Sequence, residues 1–148
     1  MVYQCYEREF RATFREPAPR RVLIADDDPL IRHLLTAVVK QQQCDAVIAS
    51  DGREAYRILQ ADSKFRAAIL DISMPFLEGL DLVHYMRSER RLMKIPIMIV
   101  TAEENLKLMN QSFSAGATAF LPKPFTSEQL ESAISMLLHS QKMIRSAS

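Results

Sequence analysis

A chain of 148 residues, 48% hydrophobic and 25% charged, has the composition of an ordinary globular protein and the length of one domain that buries about 70% of its unfolded surface. A net charge of +1 gives no general pull toward nucleic acid or an anionic membrane, and the longest uncharged apolar run, Ile95 to Ala102, is far short of the ~20 residues that span a bilayer. Met1-Val2-Tyr3-Gln4 lacks the basic stretch and apolar core of a secretory signal, and Cys5 and Cys44, in different elements and without metal-ligand spacing, fit the unpaired thiols of a reducing cytoplasm.

The start of the chain differs from the rest. Residues 1–21 hold five arginines (8, 11, 15, 20, 21) against three glutamates, a local charge of +2. Tyr3, Tyr6, Phe10 and Phe14 recur at helical spacing. A short amphipathic helix ending at Pro17 and a frayed arm with scattered aromatics both fit. If helical, the aromatic stripe needs a surface to cover, on its own domain or on a partner, a second copy included.

From Arg21 the pattern is regular. Val22-Leu23-Ile24-Ala25 reads as a buried strand ending in Asp26-Asp27-Asp28-Pro29. Leu30, Ile31, Leu34, Leu35, Val38 and Val39 follow a 3.6 period and predict a helix to about Gln42. Ala46 to Ala49 is a second strand. Asp51-Gly52-Arg53-Glu54 opens a second helix, Glu54 reaching back toward the cap, with Ala55, Ile58 and Leu59 inward. Ala67 to Leu70 is the third strand, running into Asp71-Ile72-Ser73-Met74-Pro75, and Leu77 to Arg87 the third helix. Ile95 to Val100 is the fourth strand, with Pro96 at its start, where a missing donor is tolerated. Glu103 to Ser114 is a weaker helix with Leu106, Met109 and Phe113 inward, ended by Ala115-Gly116. Ala117 to Leu121 is the fifth strand. The capping box Thr126-Ser127-Glu128-Gln129 starts a last helix with Leu130, Ala133, Ile134, Leu137 and Leu138 inward. Continuous apolar strands alternating with helices imply an α/β fold, a five-stranded parallel sheet with helices on both faces.

Such a sheet brings its strand ends together. Asp26 and Asp27, Asp71, Thr101 and Lys123 all fall at those ends. Three carboxylates in one place call for a cation, and a hard oxygen-liganded ion such as Mg²⁺ fits. Lys123 adds a positive charge for a phosphate oxygen and Thr101 a hydroxyl donor, which together suit phosphoryl transfer to an aspartate. Each residue also has a plain reading. Asp28 is a helix N-cap before Pro29, Thr101 with Glu104 an ordinary capping box, Asp71 a cap for the next helix, Lys123 a surface lysine. Its place between Pro122 and Pro124 is unusual for a solvated side chain, and Lys123-Pro124 is a candidate cis bond. Asp26 and Asp27 have no capping explanation.

Val22 to Pro29, Leu70-Asp71-Ile72-Ser73-Met74-Pro75, Val100-Thr101-Ala102-Glu103, and Ala115-Gly116-Ala117 through Lys123-Pro124-Phe125 closely resemble the receiver domain of two-component response regulators, and the chain is similar to the single-domain chemotaxis type. The resemblance covers residues 21–143, leaving an N-terminal arm (1–20) and a tail (144–148). It implies a flavodoxin-like sheet of strand order 2-1-3-4-5, and a signalling domain rather than an enzyme. It further implies Asp71 as phosphoacceptor, Asp27 as direct Mg²⁺ ligand with Asp26 acting through water, and the Ser73 carbonyl as a further ligand. Thr101 becomes the switch hydroxyl, Lys123 the phosphate-pairing lysine, and Phe120 the switch aromatic.

The departures are small: Glu78 stands where Asp is usual before Gly79, and Phe120 lacks a phenol. The implied partners are a histidine kinase or histidine phosphotransfer protein, docking near Arg32, His33 and Thr36, and a downstream protein target, with no direct nucleic acid. The expected form is a stand-alone cytoplasmic receiver. The alternatives are a receiver fragment of a regulator with DNA-binding or enzymatic output, and a pseudo-receiver without phosphorylation. A flavodoxin-like cofactor binder shares the topology, but three glycines and no Gly-rich phosphate loop argue against it. His33, His84 and His139 are isolated on helices and read as surface residues.

Overall fold

The computed structural model describes residues 19–102 and 106–147, with side chains to Ser140. The expected arm helix with its aromatic stripe, Cys5, and the Glu103 and Glu104 readings lie outside the described residues. In chain order the elements are β1 (Arg21–Ala25), α1 (Pro29–Gln41), β2 (Asp45–Ala49), α2 (Gly52–Ala61), β3 (Ala67–Leu70), α3 (Gly79–Ser88), β4 (Ile97–Thr101), α4 (Leu106–Ala115), β5 (Ala119–Pro122) and α5 (Ser127–Ala147). The strands form one parallel sheet in the order β2-β1-β3-β4-β5.

Alternation along the strands divides the core in two. Leu23, Ala25, Ala68, Leu70, Ile97 and Ile99 face α2, α3 and α4, against Leu59, Leu82 and Met86. Val22, Ile24, Ala67, Ile69, Met98 and Val100 face α1 and α5, against Leu35, Val39, Ile134 and Leu137. The central strands β1, β3 and β4 are buried almost throughout, whereas β2 and β5, at the sheet margins, are half-covered.

The helix boundaries follow local chemistry. Asp28 accepts from the Leu30 N–H, with Pro29 at the first helical position. Asp51 accepts from the Glu54 N–H while Glu54 Oε2 accepts from Ser50, one residue before the cap. Thr126 and Gln129 exchange hydrogen bonds reciprocally. Helix α3 starts at Gly79 rather than Leu77, because the Gly79 N–H still donates to Ile72 O across the preceding loop. Strand β4 starts after Pro96, whose carbonyl accepts from the Ala68 N–H.

Two inward faces differ from the sequence expectation. In α4, Leu106 is 70% exposed and Phe113 44%, while Leu108 and Ser112 are buried. The Ser112 hydroxyl donates to Leu108 O at 2.8 Å, so a polar residue enters the core already satisfied and the large apolar side chains turn outward. In α1, Leu30 and Leu34 lie on the outer margin of an apolar arc wider than the contact, leaving Leu35, Val38 and Val39 buried.

Between helices and loops, Arg87 is a staple. It donates to Gly116 O (2.9 Å), Met93 O (3.0 Å) and Ile95 O (2.8 Å), joining the α3–β4 and α4–β5 loops. Gly52 sets another close approach: a Cβ there would lie 1.8 Å from Leu77 O. Helix propensity alone favours alanine over glycine by up to ~1 kcal/mol, but backbone overlap of this kind typically costs about 1–3 kcal/mol. Gly52→Ala is therefore expected to destabilise the domain by about 2 kcal/mol in urea unfolding; equal or greater stability would show that the α2 start and the β3–α3 loop are not in close contact.

Candidate functional site

The C-terminal ends of β1 and β3 are neighbours in the sheet, with Ala25 paired to Leu70. The residues that follow each strand therefore meet. Asp26, Asp27 and Asp71 each present a carboxylate oxygen within 4.8 Å of the others. Asp26 and Asp71 are buried and Asp27 is exposed, so the cluster has a closed floor and one solvated side.

Each buried carboxylate is held by its neighbours. Asp26 Oδ1 accepts from the Asp28 N–H at 2.9 Å and Oδ2 from Lys123 Nζ at 2.9 Å. Asp71 Oδ1 accepts from the Ser73 N–H at 3.2 Å, and its Oδ2 lies 3.5 Å from the same Nζ. Lys123 reaches this position because its own N–H donates to Thr101 O at 2.7 Å, continuing the β4–β5 ladder past the last paired residues. The Lys123-Pro124 bond is cis, as its sequence allowed.

The charges act on one another. Burial, and then the Asp26 carboxylate, push the Asp71 carboxyl up to about 6, against opposing pulls from Lys123 and the Ser73 N–H. Burial disfavours the Lys123 ammonium, but its hydrogen bond to Asp26 and the charges of Asp26 and Asp71 outweigh that and leave it raised. One cation thus serves two buried carboxylates, with a third beside them. Such a site favours an added cation at its open side.

Of the remaining expected residues, Thr101 and Ser73 sit at the same end of the sheet, and Phe120 lies two residues back along β5 from the Thr101–Pro122 pair. Thr101 ends β4 and is fully buried. Phe120 is half-buried on β5, opposite Ile99, and packs against the core on the α3–α4 side. Ser73 is exposed. The expected docking residues divide: His33 is exposed, but Arg32 is half-buried and donates from Nη1 to Asp26 O at 2.9 Å, fixing α1 to the site.

Gly79 also belongs to the site, a role that reading the sequence did not assign. A Cβ there would lie 2.3 Å from Asp71 O, so only glycine lets the loop return against the end of β3. The signal was present as Glu78-Gly79, but a glycine opening a helix pattern reads equally as a boundary. In the same loop Phe76 has φ +72 and is 71% exposed, with the Arg53 guanidinium 4.2 Å from its ring centroid.

Comparison with known proteins agrees with this geometry. The response regulator MprA of Mycolicibacterium vanbaalenii is 34% identical over 120 residues, 81% of this chain and 51% of the relative. MprA of Mycobacterium leprae is 34% identical over 122 residues, 82% and 52% respectively. The chain thus spans about half the length of the curated relatives it matches.

Among solved structures, Vibrio cholerae chemotaxis protein CheY4 superposes with a TM-score of 0.73 at 29% identity, covering 81% of this chain and 99% of that one. A CheY-like receiver domain protein from Methanospirillum hungatei gives 0.75 at 26%, covering 84% and 98%. The family model for the response regulator receiver domain matches residues 22–135. That match takes in all the strands but for the first residue of β1 and runs well into α5, and the chain belongs to the response regulator receiver domain family.

Proposed function

We propose that the chain accepts a phosphoryl group on Asp71 from a phosphohistidine, and that the modified site switches a protein-interaction surface. The observation that carries this reading is the pairing of one lysine with two buried carboxylates beside a third, exposed one. A merely structural ion pair has no use for the surplus negative charge, which raises the energy of the empty site.

The donor set fits Mg²⁺: hard oxygens, several charges and an open side. Asp27 and Asp71 would hold it directly, with the Ser73 carbonyl, and Asp26 through water. When bound, the ion neutralises charge on the transferring phosphoryl group. Asp71 supplies the nucleophile. Its carboxylate oxygen attacks phosphorus, the phosphorus–nitrogen bond to the donor imidazole breaks, and the bonding pair returns to the ring nitrogen. Lys123 pairs with a phosphoryl oxygen once Asp71 is modified. The Thr101 hydroxyl then moves to another phosphoryl oxygen, and Phe120 turns into the space it leaves, reshaping the face of α4, β5 and α5.

Phe120 has no hydroxyl, so its rotamer forms no new surface hydrogen bond, and packing alone carries the change. The donor is a sensor kinase or a phosphotransfer protein in the cytoplasm. The length of the curated relatives favours a second reading, in which this receiver serves a longer regulator; the stop codon of the full gene decides it.

Labelling tests the acceptor directly. Acetyl phosphate with Mg²⁺ is expected to add one phosphoryl group to the wild type and none to Asp71→Asn; undiminished incorporation in the variant would sink the assignment.

The pH dependence follows from the raised Asp71 carboxyl. Its folded value, about 6, lies above the ordinary 3.8. Without a divalent ion, its stabilising contribution is therefore present below pH 3.8 and lost as pH rises through 6. At pH 7.5 Asp71→Asn is expected to stabilise the ion-free protein by about 2 kcal/mol, a gain that fades in acid. Mg²⁺ competes with that proton, so it should raise the wild-type melting temperature strongly at pH 7.5 and little at pH 5. Equal Mg²⁺ shifts at the two pH values would remove Asp71 from the ligand set.

A further inference from the structure

A cation in the first turn of a helix stands on the unfavourable side of the helix dipole. Arg32 is such a cation, in the first turn of α1, and no acidic residue accompanies it there. Side chains in a helix lean back toward its N-terminus, and this one leans back onto the backbone that follows β1. Its Nη1 donates to Asp26 O at 2.9 Å, and the side chain is half-buried in doing so. The guanidinium is not an electrostatic partner of the acidic cluster. The charges that act on the Asp71 carboxyl are those of Asp26 and Lys123. The Arg32 charge is felt instead at Glu54, whose carboxyl the Ser50 hydroxyl and N–H hold below its ordinary range, with a smaller pull from Arg32.

The carbonyl that Arg32 engages belongs to the peptide joining Asp26 to Asp27. Asp26 is well held on its own account. Its N–H donates to Ala49 O, and its carboxylate accepts from the Asp28 N–H and from Lys123 Nζ. Asp27 differs. It is exposed, and among the described residues its N–H, carbonyl and carboxylate make no hydrogen bond. Its carboxylate nonetheless lies within 4.8 Å of those of Asp26 and Asp71. The Asp28 N–H, bound to Asp26 Oδ1, fixes the peptide after Asp27, and Arg32 fixes the peptide before it.

We infer that Arg32 is a positioning residue for the divalent cation, orienting Asp27 through the Asp26 carbonyl. This rests on the reading of Asp27 as a direct ligand. Three roles for Arg32 give three different signs. A bare charge repels a divalent ion, so its removal would tighten binding. A residue that only docks a protein donor would leave ion binding unchanged. A positioning residue weakens ion binding when it is lost, because partners that orient a metal ligand are typically worth about 10- to 100-fold in affinity. Arginine suits the task better than lysine, since its planar fork is preorganised and holds its hydrogen bonds in one direction.

Calorimetric titration of the full chain with MgCl₂, at neutral pH and constant ionic strength, separates these roles. Arg32→Gln is expected to bind Mg²⁺ about 10- to 100-fold more weakly than wild type. Arg32→Lys, which keeps the charge and a donor without the planar fork, should fall between. In acetyl phosphate labelling, Arg32→Gln should need proportionally more Mg²⁺ for its half-maximal rate and reach the wild-type rate at saturation. Unchanged or tighter Mg²⁺ binding by Arg32→Gln overturns the inference. So does a labelling rate that falls at every Mg²⁺ concentration, the mark of a merely structural role. Asp27→Asn distinguishes the two levels of failure. Wild-type affinity in that variant, or no binding by wild type, would overturn the ligand reading and this inference with it. Weak binding by Asp27→Asn beside undiminished binding by Arg32→Gln would overturn the role of Arg32 alone.

Discussion

The position of the Lys123 ammonium, 2.9 Å from Asp26 and 3.5 Å from Asp71, is the contact on which the acidic end of the domain depends. Two like charges at 4.8 Å repel by about 3 kcal/mol at an effective dielectric near 20. A single ammonium at hydrogen-bond range offsets that for one buried pair. It does not extend to the third carboxylate, Asp27, which stays in water. The domain therefore folds with the electrostatics of this end only partly resolved, a deficit that a proton on Asp71 or a bound cation would relieve.

The sheet supplies the positions that make this deficit local. The Asp71 N–H donates to Ala25 O at 2.9 Å and the Asp26 N–H to Ala49 O at 3.3 Å, so the carboxylates begin where the backbone ladder ends. Lys123 is tied to Thr101 O by the same continuation of the ladder on the far side. Gly79 and Gly52 let the β3–α3 loop fold back without a Cβ against Asp71 or Leu77. Arg32 then fixes the start of α1 to Asp26 O. Rigid strands thus place the charged groups, and the loop after β3 carries the conformational tension. Its one non-glycine residue with positive φ, Phe76, sits there with Arg53 across its ring.

Most of the fold was legible because its determinants are local. β3 matches its expected span, and four of the expected site residues, Asp26, Asp27, Asp71 and Lys123, come together. Strand order followed only from the family resemblance, since apolar runs do not say which strands pair. The inward face of α4 was misread for a different reason. Hydrophobic periodicity selects the largest apolar side chains, and it cannot see that Ser112 satisfies its own hydroxyl on Leu108 O and so can be buried. Arg32 and Gly79 were missed as site residues because each meets a backbone carbonyl, Asp26 O for the Arg32 guanidinium and Asp71 O for Gly79, and such partners are not announced by side-chain type.

The buried hydroxyl of Thr101 bears on how this frame could hold the proposed switch without becoming unstable. It lies on a fully buried strand whose neighbours are all apolar, so moving it as part of the backbone would disturb the sheet. Only side-chain rotation at the strand end is inexpensive. Phe120, opposite Ile99 and two residues back along the marginal strand β5 from the Thr101–Pro122 pair, is half-exposed, with packed core on one side. The adjoining α4 is held by a narrow face, Leu108 and Ser112, with its large apolar residues outward. A helix anchored that lightly shifts at low energetic cost, whereas α2 and α3 are locked by Leu59, Leu82 and Met86. The more and less firmly packed faces of the domain therefore follow from packing alone, and on the proposed function charge at Asp71 would need to bias only the less firmly packed one.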